Sequence, residues 1–178
     1  MTAKLSLDQV NALSPAEFRE TFYNVIELCP AAANFCSHML PFSSVNTMIH
    51  SFHEYLSGLD TESKIGVIQG HPDLAGRLLA THQLTQESSF EHSCAGLDQL
   101  SIENGIQLND FNNRYKNKFN FPFVICVRQA RKIDVILSAV MARIHNSLED
   151  EVDIGIEEVK KICELRILEL VDGQSDSI

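Results

Sequence analysis

Along most of this chain apolar residues recur at the three- and four-residue spacing of an α-helix, and polar caps separate the runs. Ser14-Pro15-Ala16-Glu17 has the form of a capping box with proline in the first turn, predicting a helix with Phe18, Phe22, Val25 and Ile26 on one face. Pro41 interrupts the following segment. Ser43 or Ser44 then opens a helix carrying Val45, Ile49, Phe52 and Leu56, which Gly58 ends. A shorter helix from Thr61 carries Ile65 and Ile68 and stops at Gly70. Thr85 can cap a helix through about Leu100, with Phe90, Cys94 and Leu97 among its apolar members, and Ser101 can cap another that ends near Phe119.

The pattern changes at Phe121-Pro122-Phe123-Val124-Ile125-Cys126-Val127, a continuous apolar run rich in β-formers with proline near its start. It is too short for a buried helix and has no second strand to pair with, so it predicts an extended segment threading the core. Two helices follow, over 132–145 and 148–171, the second amphipathic through Val152, Ile156, Val159, Cys163 and Leu170. The expectation is an all-α, single-domain helical bundle over 1–172 with one short extended segment near 121–127. The polar tail 173–178 is expected to be flexible.

Composition narrows the function classes. At 178 residues, with 44% apolar and 21% charged side chains, the chain suits one folded globular domain. Its net charge of −10 provides no basic field for nucleic acid or an anionic membrane, so neither is an expected partner. A small anionic substrate needs only a local cationic pocket. The five cysteines are an odd number without a C-x-x-C pair, and four sit among apolar neighbours. Buried free thiols in a reducing compartment are expected, rather than disulfides or a zinc site. No apolar run approaches the ~20 residues of a membrane span, and Met1-Thr2-Ala3-Lys4 lacks an apolar signal core.

Three places could carry chemistry. In Gly70-His71-Pro72-Asp73-Leu74-Ala75-Gly76 an imidazole sits on backbone fixed from both sides, as proton transfer requires, although a surface corner between helices would look the same. On a helix from Thr85, the residues Ser88, Glu91, His92 and Ala95 share one face. That face is either a solvated polar stripe or a hydroxyl, a carboxylate and an imidazole projecting together. Arg166, with Ile162 and Cys163 one turn before it, lies at the edge of an apolar face and either pairs with a buried acid or binds an anionic ligand. A metal site has less support. His50, His53 and Glu54 miss the H-E-x-x-H pattern because Ser57 stands at the needed position, and His71, His82 and Glu91 have no recognisable spacing. No phosphate-cradling glycine loop or G-x-S-x-G elbow occurs, and the cysteines have no activating partner nearby in sequence.

Taken in order, His71-Pro72-Asp73-Leu74-Ala75-Gly76, Leu84-Thr85-x-x-Ser88-x-x-Glu91, Ala95-Gly96-Leu97, Phe119-x-Phe121-Pro122-Phe123 and Glu158-Val159-x-Lys161-Ile162-x-x-Leu165-Arg166 resemble the OHCU decarboxylase family of urate degradation. The likeness is colinear over nearly the whole chain. It implies an all-helical fold, usually a homodimer, with no metal and no organic cofactor. It also implies decarboxylation of 2-oxo-4-hydroxy-4-carboxy-5-ureidoimidazoline (OHCU) to (S)-allantoin, a carboxy-lyase reaction in a peroxisomal or cytosolic setting. His71 and Glu91 are the implied catalytic residues. Pro72, Ser88, His92 and Arg166, with the Phe123-Val124-Ile125 backbone, are the implied substrate-binding set. Two positions depart from the family pattern. His92 stands where glutamine is common and loses the amide's paired donor and acceptor. Asn120 replaces a usual glycine, a mild change because asparagine tolerates left-handed backbone. The alternatives are a metal-dependent hydrolase and a helical protein-interaction module.

Overall fold

The computed structural model describes residues 3–74, 85–94, 101–130 and 132–173, the side chains of 92–94 excepted. Ala75, Gly76, His82, Leu84, the His92 and Cys94 side chains, residues 95–100 and the tail 174–178 therefore lie outside the described residues. Among those described, ten helices and no strand occur, an all-α fold. The chain forms two compact units, Met1–Ser63 with Lys160–Ile178, and Lys64–Val159.

The first unit begins with α1 (Leu7–Asn11) and α2 (Pro15–Thr21), each opened by a capping box, Ser6 with Gln9 and Ser14 with Glu17. The Ser14 hydroxyl and backbone N–H hold the Glu17 carboxyl below its ordinary pKa. The helix expected to run from Ser14 past Ile26 stops at Thr21, and Val25 and Ile26 reach the core from the turn that follows. The cause is local. Asn24 Oδ1 accepts the Leu28 N–H at 3.0 Å, Leu28 takes a left-handed φ of 50°, and Pro30 disfavours helical geometry before it. Pro30 then opens α3 (Pro30–Ser37), a helix the apolar spacing did not announce. As expected, Pro41 interrupts the chain and Ser44 caps α4 (Val45–Ser57), its hydroxyl accepting the Thr47 N–H at 3.0 Å. Phe18 gathers Phe22, Phe42 and Phe52 at centroid distances of 4.5, 5.9 and 6.4 Å. Backbone bonds of 2.8 Å between Leu5 and Leu170, and between Asp172 and Leu5, tie the chain's two ends together.

The second unit takes in α5 (Thr61–Gln69) from Lys64, then α6 (Gln86–Cys94), α7 (Ile102–Phe119), α8 (Val127–Ala130), α9 (Ile133–Arg143) and α10 (Leu148–Leu170) through Val159. The rest of α10 belongs to the first unit. Ser101 caps α7 as expected, and Asn120 ends it at a left-handed φ of 63°. The non-helical run after Asn120 is the expected segment through the core, with Phe121, Phe123 and Val124 buried. Its anchor is Tyr115, whose ring lies 4.6 Å from Phe119, 6.0 Å from Phe121 and 5.3 Å from Phe123. α9 packs on α7 and α8, and α8 packs on α6.

Candidate active site

The helical geometry of α5 ends at the glycine-histidine pair. The Gly70 N–H reaches the Gly66 and Val67 carbonyls, the His71 N–H reaches Ile68, and Pro72 has no N–H with which to continue. His71 is 7% exposed, so the imidazole is held inside and the surface-corner reading fails. Its Nδ1 lies 3.0 Å from the Val67 carbonyl oxygen. A carbonyl only accepts, so Nδ1 carries the proton and Nε2 is the nitrogen that takes up or releases a second one. Two bonds brace the corner from either side: Gln69 Nε2 donates to the Asn120 carbonyl at 2.9 Å, and Lys116 Nζ to Asp73 Oδ2 at 2.7 Å. Both come from the last turn and cap of α7, so one helix end fixes the residues two before and two after His71.

On α6 the Ser88 N–H bonds Thr85 Oγ1 at 3.3 Å. Ser88 and Glu91 are 1% and 6% exposed, whereas Phe90 is 52% exposed. Ser88 and Glu91 therefore point inward and Phe90 outward, so these two polar residues do not belong to a solvated stripe. The exposed Phe90 ring lies 5.9 Å from the Arg128 guanidinium of α8. Burial pushes the Cys126 thiol above its ordinary pKa, and the charges of Glu158 and Glu91 add to that rise. Glu91 is thus an electrostatic neighbour of the core-threading segment. Within that segment Phe123 and Val124 are buried and Ile125 is half-buried, as is Pro72 at the corner.

Arg166 belongs to the first unit, on α10, and is 3% exposed. Its Nη1 lies 2.7 Å from Glu27 Oε2 and donates to the Asn24 carbonyl at 2.9 Å. Of the two alternatives for this arginine, pairing with a buried acid is realised. Glu27, 2% exposed, was not foreseen, because its partner lies far along the chain where no spacing rule applies. His71, Ser88, Glu91 and Phe123 to Ile125 all fall in the second unit. Among the described residues no three His, Cys, Asp or Glu side chains gather as a metal site; His82 is outside them. Cys36, Cys126 and Cys163 are buried free thiols, Cys29 a half-buried one, and burial pushes Cys36 up to about 12. Among the described residues no helix is long and apolar enough to cross a membrane.

The model of a family described as OHCU decarboxylase matches residues 11–168. A 2-oxo-4-hydroxy-4-carboxy-5-ureidoimidazoline decarboxylase of Amia calva is 40% identical over 94% of this chain and 95% of its own length. Its counterpart in Xenopus laevis is 39% identical over 93% and 94%. A crystal structure of OHCU decarboxylase in the presence of (S)-allantoin shares the fold, with a TM-score of 0.69 and 24% identity over 84% of this chain and 96% of that one.

Proposed function

The chain belongs to the OHCU decarboxylase family, and from that premise we propose that it converts OHCU to (S)-allantoin and CO2 during urate degradation. The carboxylate of OHCU is attached to a carbon next to a ring C=N group. When the bond to CO2 breaks, its electron pair delocalises into that imine, so the substrate supplies its own electron sink. What remains for the protein is to orient the scissile bond, stabilise the redistributed charge, and deliver one proton to one face of the enediol-like intermediate.

His71 handles that proton through Nε2, with Glu91 sharing the duty. Glu91 holds the hydroxyl beside the leaving carboxylate, and Ser88 hydrogen-bonds the ring. Arg166 anchors an anionic or carbonyl oxygen, its guanidinium oriented by Glu27. Pro72, His92 and the Phe123 to Ile125 backbone complete the binding set. The observation that supports the acid–base reading is the buried His71 with Nδ1 3.0 Å from the Val67 carbonyl, an arrangement suited to proton exchange at Nε2. The protein acts as a homodimer in a reducing compartment, peroxisomal or cytosolic, where its free thiols persist.

The test is an assay on freshly generated urate-oxidation intermediates that follows the optical rotation of the allantoin formed. An excess of the S enantiomer at a rate above the spontaneous reaction is expected. Racemic product at the background rate would overturn the proposal.

A further inference from the structure

We propose that Glu158 and Arg143 are positioning residues that fix the main chain around Ile125 for the substrate; this rests on the reading that Phe123 to Ile125 meet the substrate through their backbone. The run 121–126 belongs to no helix and pairs with no strand among the described residues, so no periodic ladder holds it in place. Buried backbone of that kind needs partners from side chains. Two charged groups supply them. The Cys126 N–H donates to Glu158 Oε2 at 2.8 Å, and Arg143 Nη1 donates to the Val124 carbonyl at 2.8 Å. Charge-assisted bonds of this length are roughly twice as strong as neutral ones.

The spacing gives the pair its meaning. The Val124 carbonyl and the Cys126 N–H lie on either side of Ile125 in the chain, so the two charged side chains hold the main chain just before and just after that residue. Glu158 and Arg143 thus do for this non-helical run what a neighbouring strand does for a strand in a sheet.

Arg143 is itself tightly held. Its Nε lies 3.0 and 3.3 Å from the two Glu151 oxygens, its Nη2 lies 2.9 Å from Oε2, and its guanidinium covers the Phe123 ring at 4.6 Å. Glu151 is fully buried and also accepts from the Tyr115 hydroxyl and from Asn146 Nδ2. Burial first, then the bond to Glu151, raises the Tyr115 pKa, so the phenol remains a donor. A planar guanidinium serves three partners at once here, which an ammonium cannot do.

The experiment combines steady-state kinetics on OHCU with amide hydrogen exchange read by NMR on the whole chain. In Glu158→Ala the Cys126 amide should exchange roughly 10-fold faster or more, while amides within α7 keep their protection. Its kcat/KM should fall roughly 10–100-fold, the scale of a small misplacement at a reacting centre. Glu158→Gln retains a carbonyl acceptor and should recover to within a few-fold of wild type. Wild-type kcat/KM in Glu158→Ala, or unchanged exchange at Cys126, would overturn the proposal. If Glu158→Ala does not fold, Arg143→Lys decides: a roughly 10-fold lower kcat/KM with intact α7 protection supports the assignment, and wild-type kinetics overturn it. Absence of turnover by the wild-type protein would instead sink the decarboxylase reading, before any variant is compared.

Discussion

Helices α4 and α6 follow the same backbone rules and bury opposite kinds of residue. α4 turns Met48, Ile49, Phe52 and Leu56 inward, and its buried Ser51 is satisfied within the helix by the Thr47 carbonyl at 3.0 Å. Each such apolar side chain contributes on the order of 1.5–3 kcal/mol to folding. α6 instead buries Ser88 and Glu91 and leaves Phe90 exposed. Burying a carboxyl and a hydroxyl costs free energy that their hydrogen bonds must offset, which an apolar residue would not require. On the proposed reading the substrate accounts for it: a carboxyl and a hydroxyl held on a rigid helix suit a small polar ligand.

That comparison can be broken by two substitutions with opposite signatures. Glu91→Leu should lower turnover of OHCU by roughly 10²-fold or more, as expected for a group that orients substrate and shares a proton, while thermal unfolding moves far less than for a core truncation. Phe52→Ala, beside Phe18 in the first unit, should destabilise by about 3–5 kcal/mol in urea titrations. The kcat of its folded fraction should stay near wild type. If Glu91→Leu unfolds the protein and retains activity per folded molecule, α6 is an ordinary structural helix and the contrast disappears.

Much of the fold was legible because capping is local chemistry. Ser14 with Glu17, Ser44, Ser101 and the left-handed Asn120 each declare a boundary within a few residues. The early end of α2 was not legible, because it depends on Asn24 competing for the Leu28 N–H in a turn with its own geometry. α1, α3 and α8 escaped because five, eight and four residues are too few for a periodic pattern to stand out. For the site, the sequence pointed to His71, Ser88, Glu91 and Arg166 but not to what orients them. Glu27 and Glu158 reach their partners through tertiary contacts that spacing does not encode, whereas the Val67 carbonyl is a local partner one helical turn before His71 that side-chain patterning does not display. Glu151 left one trace. It is a carboxylate beside Val152, one turn before Gly155 and Ile156 on the buried face of α10, where a charge needs a partner.

The central claim is that His71 delivers the proton that sets the product's handedness. The direct measurement is the turnover and enantiomeric excess of allantoin formed by His71→Asn, compared with wild type at equal concentrations of folded protein. A fall of roughly 10²–10⁴-fold in turnover, with the S excess lost toward the racemate, is predicted. Near-wild-type turnover with the S excess intact would contradict the account and move the proton to another group.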